Sequence, residues 1–182
     1  LRKKGSGNAG TTNALRTMGW KAGAVTLLGD CFKCVAAVVV VHLIYGKTHT
    51  DMMPLLSMYA GMGAVLGHNY PFYLKFKGGK GIAATAGLII STTNIWIVLI
   101  CLAAFIAIVA ATRYVSLGSM TVVTIYLISV IVYGQHGGFG VENVSYLHEM
   151  YGVAAFLMIL AFWRHRANIK RLLSGTEKKD KK

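Results

Sequence analysis

At 182 residues, 55% hydrophobic and 14% charged, with a mean hydropathy of +0.55, the chain is too apolar for a water-soluble domain of its size and reads as one membrane domain. Its formal net charge of +13, from 19 Lys and Arg against 6 Asp and Glu, calls for an anionic partner. Nucleic acid is set aside because the basic residues lie scattered between apolar tracts without a base-reading module, which leaves anionic lipid or a phosphorylated substrate.

Residues 1–21 form a polar, basic head. The chain opens on it directly, so a preceding segment is expected to be missing. Gly5, Gly7 and Gly10 match the dinucleotide fingerprint G-x-G-x-x-G by letters, yet no strand precedes them and no βαβ pattern follows, so that reading fails on context. What remains is a turn rich in glycine and in hydroxyl or amide side chains (Ser6, Asn8, Thr11, Thr12, Asn13), leading to Arg16 as an anion contact. The competing reading is a polar loop with Thr12 or Asn13 capping the next helix.

Residues 22–46 are apolar over more than the roughly 20 residues a helical span needs. Asp30 and Lys33 interrupt them at a spacing of three, which puts both on one face as a pair, functional or structural. Cys31 and Cys34 lie in the same tract with no second pair or nearby His to complete a metal site, and with Cys101 they make an odd count of three; they read as small helix residues. Pro54 opens a second apolar segment to about Leu66, in which Gly61 and Gly63 are small residues suited to close helix approach.

The stretch from His68 to Gly81 brings His68, Lys75, Lys77 and Lys80 together with Gly78, Gly79 and Gly81 and no acidic residue. Glycine permits positive φ and close backbone approach, and lysine supplies point charge, so the stretch reads as a phosphate cradle, or else as a basic loop that sets topology. Residues 82–112 are too long for one upright span, and the polar run from Ser91 to Asn94 divides them in two. Two crossings also keep Arg113 on the side of the other basic loops. Residues 113–119 form a third inner loop with Ser116 and Ser119, and a crossing follows at 122–133. Residues 134–148 carry no Lys or Arg and are external; Asn143 and Ser145 match a glycosylation sequon by letters only. The last crossing runs over 151–163, and a basic motif with His165 and a charged cytoplasmic tail at 172–182 close the chain. The expectation is an all-α integral membrane protein, a single membrane-embedded domain over 1–182 with about six helices and every polar motif on one face.

The six acidic residues fall outside these inner motifs, which leaves a carboxylate dyad, a divalent-metal site or a Ser-His-Asp triad hard to assemble. No His/Cys cluster has zinc spacing, and Gly79-Lys80-Gly81 lacks the Ser or Thr of a Walker A loop, so neither a metal nor another cofactor is expected. His68 and His165 are the inner-face groups whose usual pKa suits proton transfer.

Taken in order, Gly-Ser-Gly-Asn-Ala-Gly-Thr-Thr-Asn-Ala-Leu-Arg at 5–16, Gly-His-Asn-Tyr-Pro-Phe-Tyr-Leu-Lys-Phe-Lys-Gly-Gly-Lys-Gly at 67–81, Arg-Tyr-Val-Ser-Leu-Gly-Ser at 113–119 and Arg-His-Arg-Ala-Asn-Ile at 164–169 make a chain that resembles the bacterial acyl-phosphate:glycerol-3-phosphate acyltransferases over essentially its whole length. The resemblance implies a seven-helix membrane enzyme, here lacking its first helix, that moves a fatty acyl group from acyl phosphate to the 1-hydroxyl of glycerol 3-phosphate. It implies Ser6, Arg16 and His68 as catalytic residues. Asn8, Thr12, Asn13, the loop Lys77, Gly78, Gly79, Lys80 and Gly81, and Ser119, His165 and Asn168 would bind the substrates and their phosphates. Ala167 departs from a usual Glu, which puts local packing in doubt. The implied protein is a monomer among membrane lipids in the bacterial cytoplasmic membrane, with its active site on the cytoplasmic face. Because an acyl phosphate is already activated, direct attack by the glycerol hydroxyl needs no covalent nucleophile, with the leaving phosphate or His68 taking the proton. Two rivals are a transporter or channel for a phosphorylated solute and a noncatalytic lipid-binding scaffold.

Overall fold

A computed structural model describes residues 4–179. Among them are eight α-helices and no strand: α1 (Thr11–Met18), α2 (Trp20–Tyr45), α3 (Met53–Asn69), α4 (Ile82–Thr92), α5 (Ile95–Thr112), α6 (Val115–Gln135), α7 (Val144–Arg164) and α8 (Arg166–Leu173). Helices α2, α5, α6 and α7 are long and apolar enough to cross a membrane; α3 has 17 residues and α4 only 11, about 16 Å, short of a roughly 30 Å hydrocarbon core. The six expected long segments are all helical. The break between the third and fourth lies at the polar run, where the Asn94 side chain accepts a hydrogen bond from the Ile97 N–H and caps α5.

Large apolar side chains are exposed along these helices, among them Val25, Leu43 and Ile44 on α2, Trp96 and Ile106 on α5 and Ile159 on α7. A water-soluble protein rarely displays so much contiguous apolar surface, and lipid is the solvent that suits it. The protein is an all-helical integral membrane protein.

Leu1–Thr92 and Thr93–Lys182 form two compact units. In the first, α2 packs against α1, α3 and α4. Gly19, with φ of +88°, ends α1 and turns the chain sharply into α2, a conformation open to glycine alone, and Gly23 lets the side chain of Leu15 settle on the α2 backbone. The α2–α4 contact is backbone-close, since a Cβ on Gly87 would overlap the Cys31 carbonyl oxygen. Gly61 on α3 makes room for the Leu88 side chain of α4, whereas nothing approaches Gly63, so only one of the two expected contact glycines has that role.

The antiparallel register of α2 and α3 sets the height of the polar residues. Asp30 lies beside His68 and Cys34 beside Gly61, so residues 30–45 run alongside residues 53–68 over about 22 Å, and the first ten residues of α2 project about 15 Å past the end of α3.

The second unit holds α5 against α6, α6 against α7, and the short α8 behind α7. Arg113, in the left-handed conformation at φ +62°, ends α5, and α6 begins at once at Val115. The expected inner loop at 113–119 is therefore mostly the first turn of α6, with Ser116 and Ser119 both buried. Likewise α7 begins at Val144, capped by the Asn143 side chain accepting from the Ser145 N–H, so the sequon asparagine serves as a helix cap. Of the expected tail at 172–182, residues 180–182 lie outside the described residues, as do Leu1, Arg2 and Lys3 of the basic head.

Candidate active site

The first motif is built on Asn13. This residue is 3% exposed; its Oδ1 accepts from the Ser6 N–H at 2.9 Å, and its Nδ2 donates to the Lys4 and Asn8 carbonyls at 3.1 and 3.0 Å. The amide thus staples the Gly5–Gly7 turn to α1, and a Cβ on Gly5 would overlap it. Asn13 is therefore a scaffold for the turn, its amide turned to the backbone on either side of Ser6. Gly10 is the N-cap of α1, not Thr12 or Asn13. Ser6 and Arg16 are exposed; Asn8 and Thr12 are half-buried beside them.

The Gly/Lys loop is folded onto the end of α3. The Gly78 N–H donates to the Asn69 carbonyl and the Gly79 N–H to the His68 carbonyl, each at 3.2 Å. These two N–H groups therefore satisfy open C-terminal carbonyls of α3. Gly78 and Gly79 are glycine for lack of space: a Cβ would overlap the His68 carbonyl oxygen at the first and His68 Nε2 at the second. Gly81 alone of the three takes positive φ, +82°, and leads into the N-terminus of α4. That terminus, with no acidic residue in its first turn and with Lys77 and Lys80 just before it, is a favourable setting for an anion. A Cβ on Gly79 would also come within 2.9 Å of the Ala9 carbonyl, so the loop and the first motif meet at this point.

Beneath them lies an acidic residue. Asp30 Oδ1 is 2.7 Å from Lys33 Nζ and 3.1 Å from His68 Nδ1, and Lys33 Nζ is 2.6 Å from the same Nδ1. The pairing of Asp30 with Lys33 holds as expected, but the absence of a carboxylate from the inner motifs does not: the α2–α3 register carries Asp30 to His68.

In the second unit the same correction recurs. Glu177 receives hydrogen bonds from Ser116 Oγ at 2.9 Å, Asn168 Nδ2 at 2.6 Å and Arg171 Nε at 2.6 Å. The tail near this residue is therefore tied to α6 and α8 rather than simply solvated. Ala167 is exposed, so its departure from the family pattern leaves no hole in the packing. Ser119 Oγ donates to the Val115 carbonyl, and His165, 2% exposed, has Nδ1 2.8 Å from the Ala161 carbonyl, which places the ring proton on Nδ1. Ser116 and Ser119 lie one turn apart on α6, and Ser116 and Asn168 meet on Glu177.

Burial pushes the Glu177 carboxyl up, but the hydrogen bonds from Asn168, Arg171 and Ser116 and the Arg171 charge outweigh it and hold the group below the ordinary carboxylate value. A lowered native value means that the stabilisation is present at neutral pH and is lost as pH falls through that value. Glu177→Gln is expected to raise amide exchange over residues 166–177 about fivefold at neutral pH, the equivalent of about 1 kcal/mol once the half-exposed Arg171 is allowed for. Hydrogen exchange by mass spectrometry reads this directly, and exchange equal to that of the native chain would deny the tether.

Comparison with known proteins decides the family. The model described as glycerol-3-phosphate acyltransferase matches residues 1–175. The chain belongs to that family. A glycerol-3-phosphate acyltransferase of Clostridioides difficile (strain 630) is 44% identical over 179 residues, covering 98% of this chain and 81% of that protein. The Bacillus subtilis (strain 168) protein of the same name is 38% identical over 183 residues, covering 100% and 83%. Among solved structures, PlsY (YgiH), an integral membrane glycerol 3-phosphate acyltransferase crystallised in its glycerol 3-phosphate form, matches with a TM-score of 0.82 at 30% identity, over 99% of this chain and 82% of that one.

Within this member of the family, the first unit gathers Ser6, Asn8, Thr12 and Arg16 on one turn and helix and His68, Lys77 and Lys80 around one loop, the two meeting at Ala9 and Gly79. The second unit gathers Ser119 with Ser116 and Asn168, near Glu177. Three residues of these clusters went unassigned in the sequence reading: Asp30, Lys33 and Glu177. The spacing of Asp30 and Lys33 flagged them as a pair; nothing in the sequence signalled the reach to His68 or the return of Glu177 to α8.

Proposed function

We propose that this chain transfers a fatty acyl group from acyl phosphate to the 1-hydroxyl of sn-glycerol 3-phosphate, giving lysophosphatidate and inorganic phosphate. The observation that carries this reading is the docking of the Lys77–Gly81 loop on the end of α3, which sets Lys77 and Lys80 just before the N-terminus of α4, where no first-turn carboxylate competes. In this reading Lys77, Lys80 and Arg16 hold phosphate oxygens by charge, and Gly78 and Gly79 keep the loop thin enough for His68 to reach it. Ser6 contacts substrate from the first turn, with Asn8 and Thr12 beside it. Ser119, His165 and Asn168 are proposed as further substrate-binding residues on the family pattern alone.

The reaction needs little beyond placement, because acyl phosphate is a mixed anhydride. The glycerol oxygen bonds to the acyl carbon, the bond from that carbon to the bridging phosphate oxygen breaks, and the hydroxyl proton ends on the released phosphate, directly or by way of a side chain. Cationic side chains stabilise the departing phosphate. The proposed setting is the bacterial cytoplasmic membrane with the site facing the cytoplasm, since along the sequence Lys75, Lys77, Lys80, Arg113 and Arg164 cluster in the connections between apolar helices while residues 134–148 carry no Lys or Arg. A single chain is taken as the working unit.

Purified protein given acyl phosphate and glycerol 3-phosphate is expected to release lysophosphatidate and phosphate in equal amounts, with acyl-coenzyme A inert as donor. A folded sample that makes no lysophosphatidate from acyl phosphate would overturn the assignment, and flux of glycerol 3-phosphate into vesicles without product would favour a transporter.

A further inference from the structure

Two groups meet His68 Nδ1: the Asp30 carboxylate, at 3.1 Å, would accept a proton from it, and the Lys33 ammonium, at 2.6 Å, would donate one to it; the shorter contact decides between them. The His68 ring is packed at the end of α3, with the side chain 8% exposed and Nδ1 facing α2. An ammonium group has only donors, so a contact this short requires the lone pair of Nδ1 as acceptor. A proton on Nδ1 would set two N–H donors against each other, and an imidazolium would add a second positive charge at the same spot. Asp30 Oδ1, 2.7 Å from Lys33 Nζ, holds the ammonium in place and offsets its charge. A neutral imidazole with Nδ1 accepting carries its proton on Nε2. That atom faces the loop, since a Cβ on Gly79 would overlap it and would approach the Ala9 carbonyl.

We infer that Lys33, aligned by Asp30, locks His68 as an Nε2–H donor aimed at the Gly78–Gly81 loop, where it hydrogen-bonds an oxyanion of the bound phosphoryl group. Lys33 and Asp30 are positioning residues, and His68 acts as a donor, not as the base that removes the glycerol proton. This arrangement differs from a carboxylate–histidine pair in which the acid takes the Nδ1 proton and frees Nε2 as a base. Only the identity of the oxyanion rests on the acyltransferase reading; the position of the proton does not.

The test is 15N spectroscopy of the histidine-labelled full chain in detergent micelles, with the His68 signals assigned by their loss in His68→Gln. The native chain is expected to show Nε2 protonated and Nδ1 bare, and Lys33→Met to move the proton to Nδ1, which then faces Asp30 alone. A native spectrum with Nδ1 protonated, or one unchanged by Lys33→Met, overturns the inference. Kinetics give a second reading in acyl transfer from acyl phosphate. His68→Gln keeps an N–H donor and is expected to retain about ten times the kcat of His68→Ala, while Lys33→Met lowers kcat and leaves KM for glycerol 3-phosphate near its native value. Equal loss in the two His68 variants overturns the donor role. A chain with no turnover on any donor would count against the proposed reaction, and the spectra would still decide the lock.

Discussion

Gly78→Ala is expected to lower acyl transfer by about 100-fold or more, with little change in the amount of folded protein. The new Cβ would overlap the His68 carbonyl oxygen and lie 2.8 Å from that of Asn69. Both obstacles are backbone at the end of a helix, so they have no rotamer by which to yield. The loop must lift away, breaking the Gly78 and Gly79 hydrogen bonds that dock it and carrying Lys77 and Lys80 with it. A displacement of about 1 Å at a site that works by positioning is enough for a loss of this size. Gly67→Ala, in the last turn of α3 with nothing within 4 Å of its Cβ, is the matched control and is expected to leave the rate unchanged. The initial rate of lysophosphatidate formation at saturating acyl phosphate reads both. A Gly78→Ala rate within threefold of native would show that the loop does not hold the substrate.

The second large effect is on stability. Gly87→Ala is expected to destabilise the chain by about 2–3 kcal/mol, because its Cβ would overlap the carbonyl oxygen of Cys31 across the α2–α4 contact and come within 3.0 Å of the Cys34 side chain. In lipid the burial of apolar surface gives helices no reason to associate, and close backbone packing carries the contact instead. Gly63→Ala adds the same methyl group where nothing lies within 4 Å and gains helix propensity, so its unfolding midpoint should stay level or rise. Thermal unfolding in detergent separates the two; a Gly87→Ala midpoint equal to that of Gly63→Ala would rule out a tight α2–α4 interface. Asp30 and Lys33 flank Cys31 on α2, so this variant is also expected to lose acyl transfer at temperatures where it remains folded.

What could be read from the sequence, and what could not, follows from the range of the forces involved. The division of residues 82–112 was legible because Asn94 caps a helix through contacts only three residues away. Apolar runs mark α2 to α7 as helices for a similar local reason, although α4, at 11 residues, is too short to cross a membrane upright. Helix α1 was not legible: it is only 8 residues, with Leu15 and Met18 its large apolar side chains, and it is held by Asn13 stapling the turn before it and by Gly23 admitting Leu15. Ser116 and Ser119 read as loop residues because Ser and Gly favour turns, and packing on α6 overrode that preference. The Asp30 and Glu177 contacts were invisible because each depends on register: Lys33 and His68 are 35 residues apart, Ser116 and Glu177 are 61 apart. Composition sees charges, but only the pairing of helices says where they meet.

The overhang of α2 past α3 bears on how two unlike reactants reach one place. A carboxylate and an ammonium at the midpoint of a lone apolar span would sit in the driest part of the bilayer, where a charged side chain costs several kcal/mol. The offset register instead sets them level with the last turn of α3, beside the polar loop and within reach of water. A phosphate ester can arrive there from the aqueous side with much of its hydration intact. An acyl tail can approach along the exposed apolar flank of the same helix, past Phe32 and Val39. The helix offset thus creates a boundary between two solvents, and the proposed reaction is one whose substrates partition to opposite sides of it.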